Sequence, residues 1–203
     1  MIADEVMCGA GRCGTWRALE RDGAEPDILA VAKGLAAGYL PLGATVYSRR
    51  VSEAINHQPQ TAHTFTAHTT CCAAGVAVQK IVAREKLVER VAANEMKLRG
   101  LIADALSGVE AVGDIRGRGY FQAVELVQER ATKRPFPAAL KLFQQVRLQA
   151  FENGLICYPV GGNVDGINGD IIIVSPAYNA TDAELAEICD KLGRSVRQVL
   201  ARL

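Results

Sequence analysis

The chain has 203 residues and a formal net charge of +1, with 49% of its residues hydrophobic and 22% charged. A chain of this length forms a core without disulfides or metals, and its composition is that of an ordinary globular protein. The small net charge gives no electrostatic basis for binding nucleic acid or an anionic membrane. No apolar run approaches the roughly 20 residues that span a bilayer. We therefore expect neither a nucleic-acid nor a membrane partner.

The cysteines and the first residues indicate a reducing compartment. The six cysteines follow no repeating spacing, and the opening MIADEV carries acids where a secretory signal carries basic residues. We expect reduced thiols and a cytoplasmic location. Because the same opening resembles a buried strand with hardly any chain before it, we also expect that an upstream portion of the protein is missing.

The first part of the chain predicts alternating strands and helices. Segments rich in β-forming residues occur at 1–5, 27–32 and 42–48. A glycine-rich loop, CGAGRCG, and a short helix ended by Gly23 separate the first two.

A long helical region follows. Residues 49–58 have helical periodicity, and the polar loop TAHTFTAHTT leads into a helix that begins at about residue 69. Apolar residues then recur at spacings of three and four through residue 106, with a break near Glu85, which predicts one buried face.

The composition changes after this helix. VEAVGDIRGRGYFQAVELV predicts two strands around a Gly-Arg-Gly turn, and AALKLFQQVRLQAFENG predicts an amphipathic helix ended by Gly154. LICYPV and IIIVSP predict two more strands, and Thr181 with Glu184 predicts a capping box for a last helix. We predict an α/β domain over 1–90 and a small α+β domain over 91–203.

Lys33 is the only charged residue in ILAVAKGLAAGYLPLGATV. One explanation is a surface lysine whose stem lies on apolar atoms and whose head stays in water. The other is a desolvated amine that forms Schiff bases. The carboxyl end of a strand in an α/β sheet faces the crevice where ligands bind, so the position suits chemistry. One lysine alone does not decide between the two.

Asp4 and Glu5 are adjacent carboxylates at the end of the first predicted strand. They suit solvated loop acids, metal ligands or partners of a cation. Strand alternation sends them to opposite faces, so we do not expect a paired acid and base. One carboxylate and Lys33 could instead hold two ends of one ligand, since a protonated pyridine needs an anion and an aldehyde needs a neutral amine.

The loop AHTFTAHTT offers hydroxyl and backbone N–H groups just before a helix N-terminus. A helix start of this kind binds anions, although helix capping by Thr69 or Thr70 would equally explain the threonines. The neighbouring histidines and cysteines lack the spacing of a structural zinc site, so we expect no metal. These neighbours are His63, His68, Cys71 and Cys72.

Three segments in this order, IADEVMCGAGRCG, PDILAVAKGLAAGYLPLGA and HTFTAHTTCCAAG, resemble the class III (ω-type) aminotransferases, which are fold-type-I enzymes of pyridoxal 5′-phosphate (PLP). The similarity continues into IIIVSPAYNATDAELAEI and corresponds to the C-terminal half of such enzymes. It implies an α/β fold, with part of the PLP-binding large domain (mostly parallel sheet) over 1–90 and a small C-terminal α+β domain over 91–203.

The resemblance also implies a role for each matching residue. Asp4 would pair with the pyridine nitrogen of PLP, and Val6 would pack against one face of its ring. Lys33 would form a Schiff base with the cofactor and then carry a proton between substrate and cofactor carbons. Thr64 would reach the PLP phosphate of the neighbouring subunit, which implies a homodimer, and Thr66 is the weaker candidate. The implied reaction moves an amino group from an amine or amino acid donor to a keto-acid acceptor.

Three features depart from the family pattern. Ala67-His68-Thr69 replaces the usual Gly-His-Pro, and Asp182 stands where many relatives have an arginine that grips a substrate carboxylate. The family's N-terminal half, with its phosphate-binding turn, is not among these residues. The resemblance does not separate transamination from a PLP-dependent decarboxylase or aminomutase reaction, and the missing phosphate-binding turn leaves a non-catalytic fragment or partner subunit open as a further alternative. We expect the 203-residue chain alone to be inactive.

Overall fold

The computed structural model describes residues 1–55 and 63–203. These residues form two compact units, Met1–Ala93 and Asn94–Leu203. The strands are β1 (Ile2–Asp4), β2 (Ile28–Val31), β3 (Ala44–Tyr47), β4 (Val112–Arg118), β5 (Phe121–Leu126), β6 (Tyr158–Gly161) and β7 (Asp170–Val174). The helices are α1 (Arg49–Ala54), α2 (Thr69–Arg84), α3 (Leu87–Ala105), α4 (Leu142–Glu152) and α5 (Asp182–Leu200). The division lies near the predicted boundary at residue 90, and the assignment of the units to a large and a small domain stays a prediction.

The first unit contains a three-stranded sheet in the order β1-β2-β3. β1 and β2 are parallel, and β3 is antiparallel to β2. Ala3, Leu29 and Val31 are buried on one face, as the alternation of side chains along a strand requires. Because β1 and β2 are parallel neighbours, the residues that follow them lie at the same edge of the sheet.

Two short helices of the first unit differ from their predictions. The segment before Gly23 is a 3₁₀ turn, Ala18–Asp22, which Gly23 ends with a φ of 62°. The helix α1 ends at Ala54, and positions 56–58 of its predicted range lie outside the described residues. In the described residues, therefore, both elements are shorter than their sequence patterns suggest.

The predicted break in the long helical region is confirmed. α2 ends at Arg84 and α3 begins at Leu87. Between them, Lys86 has a φ of 51°, and a residue in this left-handed conformation cannot continue a right-handed helix.

The second unit is a four-stranded antiparallel sheet in the order β4-β5-β7-β6. α4 packs against β6, β7 and α5. The predicted capping box of α5 is confirmed, since Thr181 and Glu184 each accept a hydrogen bond from the backbone N–H of the other. The buried face of α5 repeats at spacings of three and four residues, through Leu185, Cys189, Leu192, Val196 and Val199. No helix in the described parts of the chain is long and apolar enough to cross a membrane.

The hairpin of β4 and β5 turns at Gly119 and Tyr120, so the predicted turn over Gly117-Arg118-Gly119 is wrong. Arg118 pairs with Phe121, which leaves a two-residue turn. Gly119 has a φ of 53°, as the first position of such a turn requires. Gly117 lies within β4, where a Cβ would approach the carbonyl oxygen of Phe121 to 2.1 Å.

Candidate active site

Lys33 lies two residues after the end of β2 and begins a single 3₁₀ turn, Lys33–Leu35. Its backbone has a φ of 43°, a left-handed conformation that costs a residue with a Cβ about 1–2 kcal/mol. Its side chain is exposed, and within residues 1–55 and 63–203 the Nζ atom has no hydrogen bond or ion pair. An exposed lysine with a left-handed backbone also occurs at Lys86, so it is the position of Lys33 near the carboxyl end of a strand that points to a function.

Asp4 lies beside this lysine turn, at the carboxyl end of the neighbouring strand. It pairs with Ala30 of β2 in the parallel register, and its side chain is exposed. Oδ1 accepts a hydrogen bond of 3.0 Å from the backbone N–H of Val6, which is half-buried. Among the described residues, no cation pairs with this carboxylate. Asp4 and Lys33 are therefore an unpaired carboxylate and an unpaired amine at adjacent strand ends.

Glu5 has a structural role in the same loop. Its side chain is 2% exposed and accepts hydrogen bonds from the backbone N–H groups of Ala18 (2.8 Å) and Leu19 (3.0 Å). Gly9 packs so closely that a Cβ there would lie 2.8 Å from the Glu5 carboxylate. The prediction that Asp4 and Glu5 point to opposite faces is confirmed, and only Asp4 is left for a ligand.

We expect Glu5→Ala to lower the free energy of unfolding by about 2–4 kcal/mol, because two partly buried N–H groups lose a charged acceptor. Urea denaturation of the full-length polypeptide that contains this chain measures the change. Glu5→Gln keeps an acceptor oxygen and should lose less. If Glu5→Ala were as stable as the wild type, these hydrogen bonds would not hold the loop.

Thr64 lies in an exposed turn before α2. Thr66 fixes this turn, since its Oγ1 accepts from His63 N–H (2.9 Å) and its own N–H donates to the His63 carbonyl oxygen (2.8 Å). In the described part of the chain, the Thr64 hydroxyl has no partner and makes no hydrogen bond with Asp4 or Lys33. The chain thus leaves this hydroxyl available for a group that these residues do not supply.

The start of α2 does not use a threonine as its cap. The N-cap residue is His68, whose side chain makes no capping hydrogen bond. Capping by Thr69 or Thr70, the alternative explanation of these threonines, is therefore wrong for the described structure.

Ala67 shows how the chain accommodates its departure from Gly-His-Pro. It has a φ of 55°, so an alanine occupies a conformation that favours glycine. We expect Ala67→Gly to stabilise the protein by about 0.5–1 kcal/mol, because relief of the left-handed strain exceeds the entropic cost of glycine. Thermal unfolding of the full-length polypeptide measures this effect. A lower melting temperature in Ala67→Gly would contradict the assigned backbone conformation.

The apolar surroundings suggested by the sequence do not enclose Lys33 in the described residues. Tyr39 is 81% exposed, and every residue of β3 is exposed. Ala37 and Gly38 have φ values of 50° and 76°, so the chain turns sharply after Lys33, which stays exposed. Any desolvation of Lys33 has to come from a surface beyond residues 1–55 and 63–203.

Two other chemistries receive no support at this edge of the sheet. Partial burial, together with the negative charge of Glu5, raises the pKa of the Cys8 thiol, which disfavours the nucleophilic thiolate. Within residues 1–55 and 63–203, no group of three or more His, Cys, Asp or Glu side chains is placed to hold a metal ion.

Gln79 is a further residue near Lys33, and it was not among the sequence candidates. It lies on α2, one turn after the buried Gly75, and its amide reaches the carbonyl oxygens of Gly34 and Leu35. The sequence signal for Gln79 was its spacing of four residues from Gly75. Residues four apart share one helix face, so a polar side chain there lies on the same side of α2 as the glycine.

Asp182, in the second unit, is occupied by an ion pair. Both of its carboxylate oxygens lie 2.9 Å from Lys97 Nζ. Many relatives have an arginine at this position. Here it is a carboxylate, and its partner, Lys97, belongs to the same unit.

Comparison with known proteins decides the family. The sequence profile of the family described as aminotransferase class III matches residues 1–196. The chain belongs to the class III aminotransferases. The predicted family resemblance is confirmed.

Class III relatives match nearly the whole chain but only part of their own length. An aminotransferase from Gibberella zeae is 39% identical over 97% of this chain and 39% of the relative. An adenosylmethionine-8-amino-7-oxononanoate aminotransferase from Geobacter sulfurreducens is 35% identical over 98% of this chain and 43% of the relative. The class III chain therefore spans about two fifths of the length of these relatives.

Solved structures confirm the predicted α/β transferase fold. A transaminase from the marine bacterium Virgibacillus superposes with a TM-score of 0.91 at 29% identity, covering 99% of this chain and 45% of that one. An ω-aminotransferase from Paracoccus denitrificans gives a TM-score of 0.88 at 28% identity, covering 100% and 44%.

Class III aminotransferases are PLP-dependent, and the described residues fit that cofactor. An unpaired amine at Lys33 suits an aldehyde, and an unpaired carboxylate at Asp4 suits a protonated ring nitrogen. The free hydroxyl of Thr64 suits a phosphate oxygen. The donor set thus matches the three polar ends of PLP.

Proposed function

We propose that this chain supplies Lys33, Asp4, Val6 and Thr64 to the PLP site of an aminotransferase. The reaction moves an amino group from an amine or amino acid donor to a keto-acid acceptor. The observation that carries the proposal is the placement, at adjacent ends of two parallel strands, of a strained Lys33 whose amine has no partner and an Asp4 carboxylate that has no cation partner within the described residues.

Each residue has a separate task in this mechanism. When bound, PLP supplies an aldehyde and an electron-withdrawing ring. Lys33 Nζ would bond to the aldehyde carbon of the cofactor and, once the donor amine has displaced it, would carry the proton from the substrate carbon. The negative charge of Asp4 would keep a proton on the ring nitrogen, and the Val6 side chain would lie against the ring. The Thr64 hydroxyl would donate a hydrogen bond to a phosphate oxygen in the neighbouring subunit.

The homodimer and the cytoplasmic location belong to the proposal. Thr64 is exposed and its hydroxyl has no partner among residues 1–55 and 63–203, which suits a site shared between two subunits. Six free thiols suit a reducing compartment. Since Lys33 and Asp4 are both exposed, we propose that the 203-residue chain alone is inactive.

The reaction is tested by turnover of the full-length polypeptide loaded with PLP. We expect product from an amine donor only when a keto acid is present, with one amino group transferred for each donor consumed. Release of CO₂ from an amino acid, or an isomerised product without any keto acid, would instead assign the PLP-dependent decarboxylase or aminomutase reaction.

The 203-residue chain itself tests whether the PLP site needs residues beyond those in this chain. We expect a PLP titration of this chain to give neither saturable binding nor turnover, while the full-length polypeptide gives both. Turnover by the short chain would contradict the shared site. Failure of both proteins to bind PLP would support the non-catalytic alternative.

A further inference from the structure

The turn that carries Lys33 is bonded to α2 through one side chain. Gln79 Nε2 lies 3.0 Å from the carbonyl oxygen of Leu35 and 3.4 Å from that of Gly34. Gln79 Oε1 accepts a hydrogen bond of 3.2 Å from the indole Nε1 of Trp16. One amide thus joins the loop after β1, the helix α2 and the turn after β2.

Trp16 fixes the orientation of this amide. An indole N–H only donates, so the Gln79 atom that faces it has to be the oxygen. The NH₂ group then faces the Gly34 and Leu35 carbonyls, and all three hydrogen bonds have a donor matched to an acceptor. A leucine or a glutamate at position 79 cannot make the two bonds to the carbonyls.

The lysine turn needs such an anchor because its own bonds are few. Within the turn, Leu35 N–H donates to the carbonyl oxygen of Ala32 (3.0 Å), and Ala36 N–H donates to the carbonyl oxygen of Lys33 (3.3 Å). Lys33 itself has a left-handed backbone. Residues held in strained conformations persist when the surrounding structure over-determines them.

The helix packs close enough to provide that restraint. A Cβ at Gly75 would lie 2.4 Å from Leu42 Cδ2 and 3.7 Å from the Leu35 carbonyl oxygen. Gly75 therefore makes room for Leu42 and lies within van der Waals distance of the lysine turn, and Gln79 lies one helical turn further along the same face.

We infer that Gln79, oriented by Trp16, is the positioning residue for Lys33. It holds the Lys33–Leu35 turn so that the Lys33 amine keeps one direction at the sheet edge. This inference rests on the proposed role of Lys33, on which Gln79 would act only through the turn.

The test compares Gln79→Leu with the wild type in the full-length polypeptide. Without PLP, hydrogen–deuterium exchange of the peptide that covers residues 33–39 should accelerate at least about tenfold, since two hydrogen bonds to the turn are lost. With PLP, the circular dichroism induced in the cofactor's absorption band should weaken, because that signal reports how firmly the cofactor is oriented. Gln79→Glu keeps the acceptor for Trp16 but loses the donor to the two carbonyl groups, so it should give the same two results. It replaces Gln79→Leu in the test if Gln79→Leu does not fold.

Gln145→Leu is the matched control. Gln145 Nε2 donates to the carbonyl oxygen of Leu140, 2.8 Å away in the second unit, so the same chemical change is made away from Lys33. This variant should match the wild type in both measurements.

Other results of these two measurements would contradict either the positioning role of Gln79 or the proposed function. Unchanged exchange over residues 33–39, equal acceleration across the whole first unit, or local acceleration without any change in the induced signal would each overturn the positioning role. If the wild type binds no PLP while exchange still responds to Gln79, then the proposed function fails and the anchoring of the turn stands.

Discussion

Replacing Lys33 with glycine is expected to abolish amino-group transfer while leaving the fold at least as stable as the wild type. The rate should fall by at least about 10⁴-fold, because both the covalent attachment of the cofactor and the proton carrier are lost. The φ of 43° at Lys33 suits glycine, and the strain relieved, about 1–2 kcal/mol, offsets glycine's entropic cost of about 0.5–1 kcal/mol. Turnover assays and urea denaturation of the full-length polypeptide measure the two effects.

A second lysine gives the matched control. Lys86 is also exposed and has a φ of 51° between α2 and α3. Lys86→Gly should therefore gain similar stability and keep full activity. Lys33→Ala should be as inactive as Lys33→Gly but less stable. Retained turnover in either Lys33 variant would remove this residue from the mechanism.

The second large effect is expected for Asp4→Asn. Asparagine keeps an oxygen for the hydrogen bond from Val6 N–H but has no charge to hold a proton on the ring nitrogen. We expect kcat to fall about 10²–10³-fold, the usual loss when one preorganised electrostatic group is removed, with little change in unfolding free energy. Steady-state kinetics and urea denaturation of the full-length polypeptide measure both quantities.

The controls separate charge at the site from charge elsewhere. Asp104→Asn neutralises an exposed carboxylate on α3 and should leave kcat unchanged. Glu5→Ala should lose stability, whereas Asp4→Asn should lose rate, although the two carboxylates are adjacent. A normal kcat in Asp4→Asn would contradict the role of Asp4.

Features governed by local rules were predictable from the sequence. Strand alternation assigned Asp4 and Glu5 to opposite faces, and the break near Glu85 was found because the apolar pattern falters there. The capping box of Thr181 and Glu184 was predictable because both hydrogen bonds join residues three positions apart. In each case the cause lies within a few residues of the effect.

Features governed by contacts between distant residues were not predictable. Gln79 lies more than 40 positions from the carbonyl groups that it binds. The left-handed backbone of Lys33 is unexpected for a residue with a Cβ, and it depends on the turn and its anchor rather than on propensity. The sequence left open whether Lys33 is exposed or desolvated, because an apolar sequence does not show whether the apolar residues cover the amine.

The most direct test of the proposed site is borohydride reduction of the full-length polypeptide loaded with PLP, followed by peptide mass spectrometry. Reduction makes the bond between the cofactor and its lysine permanent, so the mass of the cofactor marks the residue that holds it. We expect the label on Lys33 and its loss when the donor amine is added before reduction. A label on another lysine, such as Lys80 or Lys191, with none on Lys33 would contradict it.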